Sequence, residues 1–204
     1  MIAQRKIGLI AVFTPLWFLV IYLAMSGMRP EYSHLTKAIS ELGSLDAPHK
    51  WVWNTLGYIL PGLAVALLGT GLRRESSFAG REARIPLAAL VASGILMSLS
   101  GVFPGDFENR TSATMILHAA GSIGSFVAFL VAGFWLPNLF RKHEQWRWTV
   151  WPSLVLVVGS IVTGFLRTGS APGLGQRLGF ACFFLWVGLV GFAMVRGQRR
   201  AEDA

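Results

Sequence analysis

Seven side chains have the types and the setting to do chemistry together: Ser40, Glu41, Asn54, Asp106, His118, Gln176 and Arg177. Tyr58 and Arg167 extend the set with a phenol and a second guanidinium. An imidazole with carboxylates can hold a divalent metal that activates water, so a metal is the cofactor such a set would take. A serine, an imidazole and a carboxylate can instead form a nucleophilic triad. A carboxylate and a histidine can also relay protons or grip a polar head group. In the catalytic schemes His118 is base or ligand, Asp106 and Glu41 are its carboxylates, and Ser40 is the hydroxyl. Asn54, Tyr58, Gln176, Arg177 and Arg167 would then bind the ligand. No H-x-x-x-H, H-E-x-x-H or G-x-S-x-G pattern occurs, so residue types leave open which scheme applies and whether a metal is held.

The composition says what must position these groups. Of 204 residues, 53% are hydrophobic and 14% charged, with a mean hydropathy of +0.55. A soluble domain carries about 25% charged residues, so lipid is the expected solvent for most of the surface. Six apolar runs approach or exceed the ~20 residues that cross a ~30 Å hydrocarbon core. They lie at about Ile7–Met28, Trp51–Leu72, Ile85–Phe103, Thr114–Phe140, Thr149–Leu166 and Leu178–Val195. A lone strand cannot satisfy its backbone in lipid, so each run is expected to be a helix. The expected fold is all-α, an integral membrane bundle of six transmembrane helices forming one domain over residues 1–204. The first run is too long for the apolar part of a signal peptide and lacks a small-x-small cleavage site. It reads as the first span.

Twelve Lys and Arg fall on the side of the two termini and the loops near 73–84 and 141–147, against six on the other side. That bias predicts cytoplasmic termini. The net charge of +8 is spread in short clusters between apolar runs, which argues against nucleic acid and for topology signals that also touch anionic lipid heads. Glu75, Glu82, Glu144, Glu202 and Asp203 lie among arginines or in the tail and read as solvated. Glu31, Glu41, Asp46, Asp106 and Glu108 lie close to span ends on the opposite, extracytoplasmic side, where any chemistry is expected. A single cysteine, Cys182, excludes an intrachain disulfide and a cysteine-rich metal site.

The longest outer loop, about Arg29 to Lys50, contains YSHLTKAISELGS. Leu35, Ala38, Ile39 and Leu42 recur at helical spacing, which predicts a short amphipathic helix lying in the interface or folding back as a lid. In span two, Asn54, Gly57, Tyr58 and Pro61 share one face, an inward wall with a proline-loosened turn. Ser93, Gly94, Met97, Ser98 and Gly101 repeat small residues in span three. Span four aligns His118, Gly121, Ser122 and Ser125, and span five Ser160, Thr163, Gly164 and Arg167. Small residues let membrane helices approach closely, so packing explains these faces as readily as a site does. Likewise Arg167 or Arg177 can simply reach the head groups. Between spans three and four, Pro104 and Gly105 stop one helix and Thr111 or Ser112 can cap the next.

Several of these stretches together resemble a known family. I-S-E-L-G (Ile39 to Gly43), Asn54 early in span two, F-P-G-D (Phe103 to Asp106) and His118 with a following Gly-Ser resemble the bacterial and archaeal six-pass membrane family catalogued as domain of unknown function 998. The resemblance implies six helices, a cell-membrane location and a recurrent polar set at Ser40, Glu41, Asn54, Asp106 and His118. It brings no activity. A looser likeness to alkaline-ceramidase-type hydrolases, which use a Ser, an Asp and several His around zinc, stops short. This chain has six expected spans and lacks paired histidines in its late helices.

Two kinds of function follow. The polar groups can form a pocket that binds a lipid or lipid-like ligand, or pin the outer loop in a subunit with a membrane-protein partner. The alternative is an embedded hydrolase or transferase acting on a lipid or isoprenoid through the His/Asp/Glu centre. A proton-coupled carrier fits less well, because the ionisable groups lie near one surface and the spans show no duplicated halves.

Overall fold

Each apolar run becomes one helix, as a chain that must satisfy its backbone internally requires. The computed structural model describes residues 2–166 and 171–202. The long helices are α1 (Ile2–Gly27), α2 (Lys50–Leu72), α3 (Arg84–Val102), α4 (Ala113–Phe140), α5 (Val150–Phe165) and α6 (Pro172–Glu202). Among the described residues, six helices are long and apolar enough to cross a membrane, and no strand occurs. Large apolar side chains such as Phe13, Trp151, Val155 and Phe165 stand outward, as a lipid-facing surface demands.

The helices form a ring in chain order. Each packs on the next and α6 closes against α1, with α2–α3 and α3–α4 the most extensive seams. The α4–α5 and α1–α2 seams are the thinnest. Glycine contrasts two positions on the first of these. A methyl added at Gly133 of α4 would lie 2.5 Å from Val157 of α5, whereas one at Gly164 of α5 would meet nothing within 4 Å. The two helices therefore touch toward one end and part toward the other.

The end carrying both termini is dry and interlocked. Trp146 lies 1% exposed, its ring stacked on Phe140 with centroids 5.3 Å apart and tilted against Phe78 at 5.1 Å. Glu75, expected as solvated surface, is 8% exposed and accepts a 2.9 Å hydrogen bond from Gln198 Nε2. Burial raises its carboxyl above the ordinary value, partly offset by that bond. The reason sequence misplaced it is tertiary: the last helix folds back over the turn after α2.

At the opposite end, two local expectations are revised. The loop before α2 holds only a 3₁₀ turn, Ile39–Gly43, and Leu35 is 55% exposed instead of belonging to an apolar stripe. Its backbone is committed to tertiary partners that a continuous helix would exclude. Leu35 O accepts from Gly173 N at 2.7 Å, and Ala38 O accepts from the Tyr32 hydroxyl at 2.8 Å. Helix α6 begins at Pro172, well before the apolar run at Leu178. Proline at the first helical position presets φ, and Gly173 and Leu174 direct their otherwise orphaned N–H groups to Leu35 O.

After one α-helical turn, Lys50–Trp53, helix α2 widens into a π-helical turn, Asn54–Ile59. Leu60 N bonds Thr55 O, five residues back, and Pro61 has no N–H. Leu56 O therefore has no donor in its own helix, and Trp17 Nε1 of α1 supplies one at 2.9 Å. The proline-loosened turn read from sequence thus takes a specific form, and an indole on the next helix completes it.

Candidate functional site

A cavity of about 200 Å³ occupies the loop-bearing half of the bundle where α4 and α5 part. Ser100 of α3, Ser122 and Ser125 of α4, and Ser160 of α5 supply hydroxyls to its wall. Tyr58, Gln176, Met97, Phe180 and Phe183 complete it, and Ile123 and Phe126 carry it out to the lipid-facing surface. At 1.5 Å per helical residue, Ser122 and Ser125 lie about 13 and 18 Å below the start of α4. Neighbouring hydroxyls are paired there: Ser100 Oγ with Ser122 Oγ at 2.8 Å, and Ser125 Oγ with Ser93 Oγ at 3.3 Å. Ser160 Oγ donates to Val157 O at 2.7 Å, which leaves its lone pairs toward a ligand. A second hollow, between α1 and α2, is lined by apolar side chains apart from Thr14. It offers lipid tails no polar foothold comparable to the serines.

His118 is 4% exposed, and its ring stands edge-on to Tyr58, centroids 5.9 Å apart. Its Nδ1 lies 2.8 Å from Ser100 O and 3.0 Å from Phe103 O. Carbonyl oxygens only accept, so Nδ1 carries the proton, and in the neutral ring the lone pair is on Nε2. The helical partner of Ser100 O would be the N–H of residue 104, and residue 104 is proline. His118 therefore replaces the donor that Pro104 lacks, and closes the end of α3.

The rest of F-P-G-D is fastened in the same manner. Thr114 Oγ1 donates to Pro104 O at 2.9 Å, and Leu45 N donates to Gly105 O at 2.9 Å. Asp106 Oδ1 accepts from Asn109 N, three residues on, at 2.9 Å and so closes the turn at the surface. Ser112 caps α4 by accepting from Met115 N, one of the two caps expected. Asp106 and His118 share no hydrogen bond or ion pair; each serves the backbone of its own neighbourhood.

Glu41 and Asn54 serve backbone as well. Glu41 Oε1 accepts from Ala38 N at 2.7 Å and Oε2 pairs with Lys37 Nζ at 2.9 Å, so its carboxylate starts the 3₁₀ turn. Ser40 is buried in that turn. Asn54, 1% exposed, donates from Nδ2 to Gly43 O at 3.0 Å, while its Oδ1 has no partner. Only glycine fits at residue 43, because a Cβ there would collide with that amide and with Trp53.

Gln176 and Arg177 tie the loop to α6. Gln176 Oε1 accepts from Ile39 N at 2.6 Å, which fixes its Nε2 as the donor end. Arg177 donates from Nε to the Tyr22 hydroxyl at 2.6 Å and from one terminal nitrogen to Lys37 O and Gly173 O at 2.8 and 2.6 Å. The other terminal nitrogen donates to the Tyr32 hydroxyl at 2.6 Å. The Tyr22 hydroxyl is also bonded to His34 Nδ1. Burial pushes the Tyr32 phenol up from its ordinary value, so it stays protonated. Four donors of the Arg177 fork are thus spent inside the protein.

The structure therefore divides the nine residues singled out by sequence. Tyr58 and Gln176 line the cavity; Asn54, His118, Asp106, Glu41 and Arg177 bond the backbone or side chains around it; Ser40 is buried in the turn; Arg167 lies outside the described residues. Among the described residues, no three of His, Cys, Asp and Glu converge to hold a metal ion. Sequence reasoning missed Ser100, Tyr22 and Tyr32. Ser100 follows Ser93 and Met97 at helical spacing, a legible signal. Tyr22 looks in sequence like any aromatic near a span end.

Fold and site together define a multi-pass integral membrane protein, a ring of six helices around a serine-lined cavity. The chain belongs to the family described as "Protein of unknown function (DUF998)", which matches residues 12–193. No curated protein and no solved structure matches it.

Proposed function

We propose that this protein binds a membrane amphiphile in the cavity between α4 and α5, with the motif residues acting as fastenings that hold the surrounding loop and helix ends in place. The observation that carries the reading is a cavity of about 200 Å³ with four serines on its wall, reaching the lipid-facing surface at a thin helix seam. Hydroxyls at that depth suit a polar head entering sideways, because the tail never has to leave the hydrocarbon. The Lys/Arg bias puts both termini in the cytoplasm, so the cavity would open to the outer leaflet. The test is native mass spectrometry of protein purified in mild detergent. Wild type should retain a copurifying lipid, and Gly164→Leu, which fills open space on the wall, should lose it while still folding. Equal lipid retention by both proteins would count against the cavity as the binding place.

A second reading, a hydrolase or transferase acting on a lipid or isoprenoid, draws on the His118 ring. Anchoring Nδ1 on two carbonyls leaves the basic lone pair on Nε2, as a general base needs. Metal analysis and lipid turnover by wild type and His118→Ala test it. Turnover that depends on His118 would favour this reading over simple binding.

A further inference from the structure

The wall also specifies the kind of head it accepts, an inference that rests on the amphiphile reading above. Among the described residues, the lining contains no Lys, Arg, His, Asp or Glu. Two ionisable groups close in sequence are occupied elsewhere, Arg177 with two tyrosines and two carbonyls and His118 with the end of α3, while Arg167 lies outside the described residues. What the wall offers is neutral and of both polarities. Ser160 Oγ has accepting lone pairs, because its proton is used on Val157 O. In the Ser100–Ser122 pair one hydroxyl proton bridges the two oxygens, and the other remains for a guest. Gln176 Nε2 is a donor, because Ile39 N–H holds Oε1. A single hydroxyl is donor and acceptor at once and satisfies such a wall. A phosphate or carboxylate would enter a low-dielectric site where the described residues supply no counter-charge, which is strongly disfavoured.

Size narrows the class further. A cavity of about 150 Å³ takes benzene, so about 200 Å³ holds a head of glycerol size but not two acyl chains. The chains would lie along Ile123 and Phe126, where the cavity meets lipid.

We propose that the cavity selects an uncharged, hydroxyl-bearing head on a long apolar tail, the chemistry shared by diacylglycerols and long-chain alcohols, and rejects anionic lipids of the same tail length.

The test is competitive photolabelling of the full-length protein in neutral detergent, using a dioctanoylglycerol that carries a diazirine on one chain. Unlabelled dioctanoylglycerol and dodecanol are the neutral competitors, and their separate arms distinguish a glyceride from a simple alcohol. Dioctanoylphosphatidylglycerol and dodecanoate at pH 8 are the anionic ones. Labelling should saturate, at least one neutral competitor should displace it, and the anions should require at least about a hundredfold higher concentration. Ser122→Val with Ser160→Val should weaken neutral binding about tenfold in the protein that remains folded. Displacement by either anion at concentrations comparable to the neutral competitors would overturn the head-group inference and leave amphiphile binding standing. The absence of saturable labelling with any probe would overturn both.

Discussion

The two ends of the bundle are built on opposite principles. At the end bearing the termini, stability comes from shape: Trp146, Phe140 and Phe78 interlock, and Gly133 lets α5 press against α4. At the loop-bearing end it comes from directed hydrogen bonds. Pro104, Pro61 and the start of α6 each leave a backbone group without a helical partner, and His118, Trp17 and the strap at Leu35 supply one. Packing leaves no room, whereas hydrogen bonds can hold walls apart. That difference lets one end close and the other keep a cavity.

Substitutions at the two ends should separate these two modes of stabilisation. The largest effect is expected from Trp146→Ala, which leaves a void in close-packed surroundings and should cost about 3–5 kcal/mol in reversible detergent unfolding, with lipid retention unaffected in whatever protein remains folded. Arg177→Met should come next, at about 3 kcal/mol, since it frees the strap at Lys37 and leaves two hydroxyls without their donor. Arg177→Lys should recover only part of this, because an ammonium cannot reproduce the fork. Hydrogen exchange should then rise first at Leu35–Ile39 and not at α3.

His118→Phe should cost about 1–3 kcal/mol by uncovering Ser100 O and Phe103 O. Asp106→Asn should cost much less, because an amide oxygen can still accept from Asn109 N. Equal losses from both would contradict their separate roles. The smallest effect is at Glu75. Its carboxyl is raised in the folded state, so folding takes up protons and stability falls as pH rises above the ordinary value of 4.5. Glu75→Gln should therefore raise the melting temperature at pH 8, and the gain should fade as pH drops toward 4.5.

How much of this was legible in the sequence depends on the range of the interaction. Lengths and hydropathy located all six spans, because lipid imposes one solution on each apolar run. The stops at Pro104 and Gly105 and the cap at Ser112 were equally local, and so readable. The meaning of His118 was not. Its depth and type suggested a base, but its partners, Ser100 O and Phe103 O, become visible only when α3 and α4 lie side by side. The loop before α2 was unreadable for the same reason: Leu35, Ala38 and Ile39 sit at helical spacing, yet Leu35 O and Ile39 N bond Gly173 and Gln176, far along the chain. Glu75 looked solvated because the helix that covers it lies more than a hundred residues later.

In the reading proposed above, an amphiphile enters between α4 and α5 on the loop-bearing half. Residue-level mapping of labels from a diazirine-bearing dioctanoylglycerol, by digestion and mass spectrometry, tests it most directly. Saturable labels are expected on Ser122–Phe126, Ser160–Gly164 and Gly179–Phe183, lost in Gly164→Leu. Labels spread over Phe13, Trp151 and Val155, unsaturable and unchanged by that substitution, would contradict it.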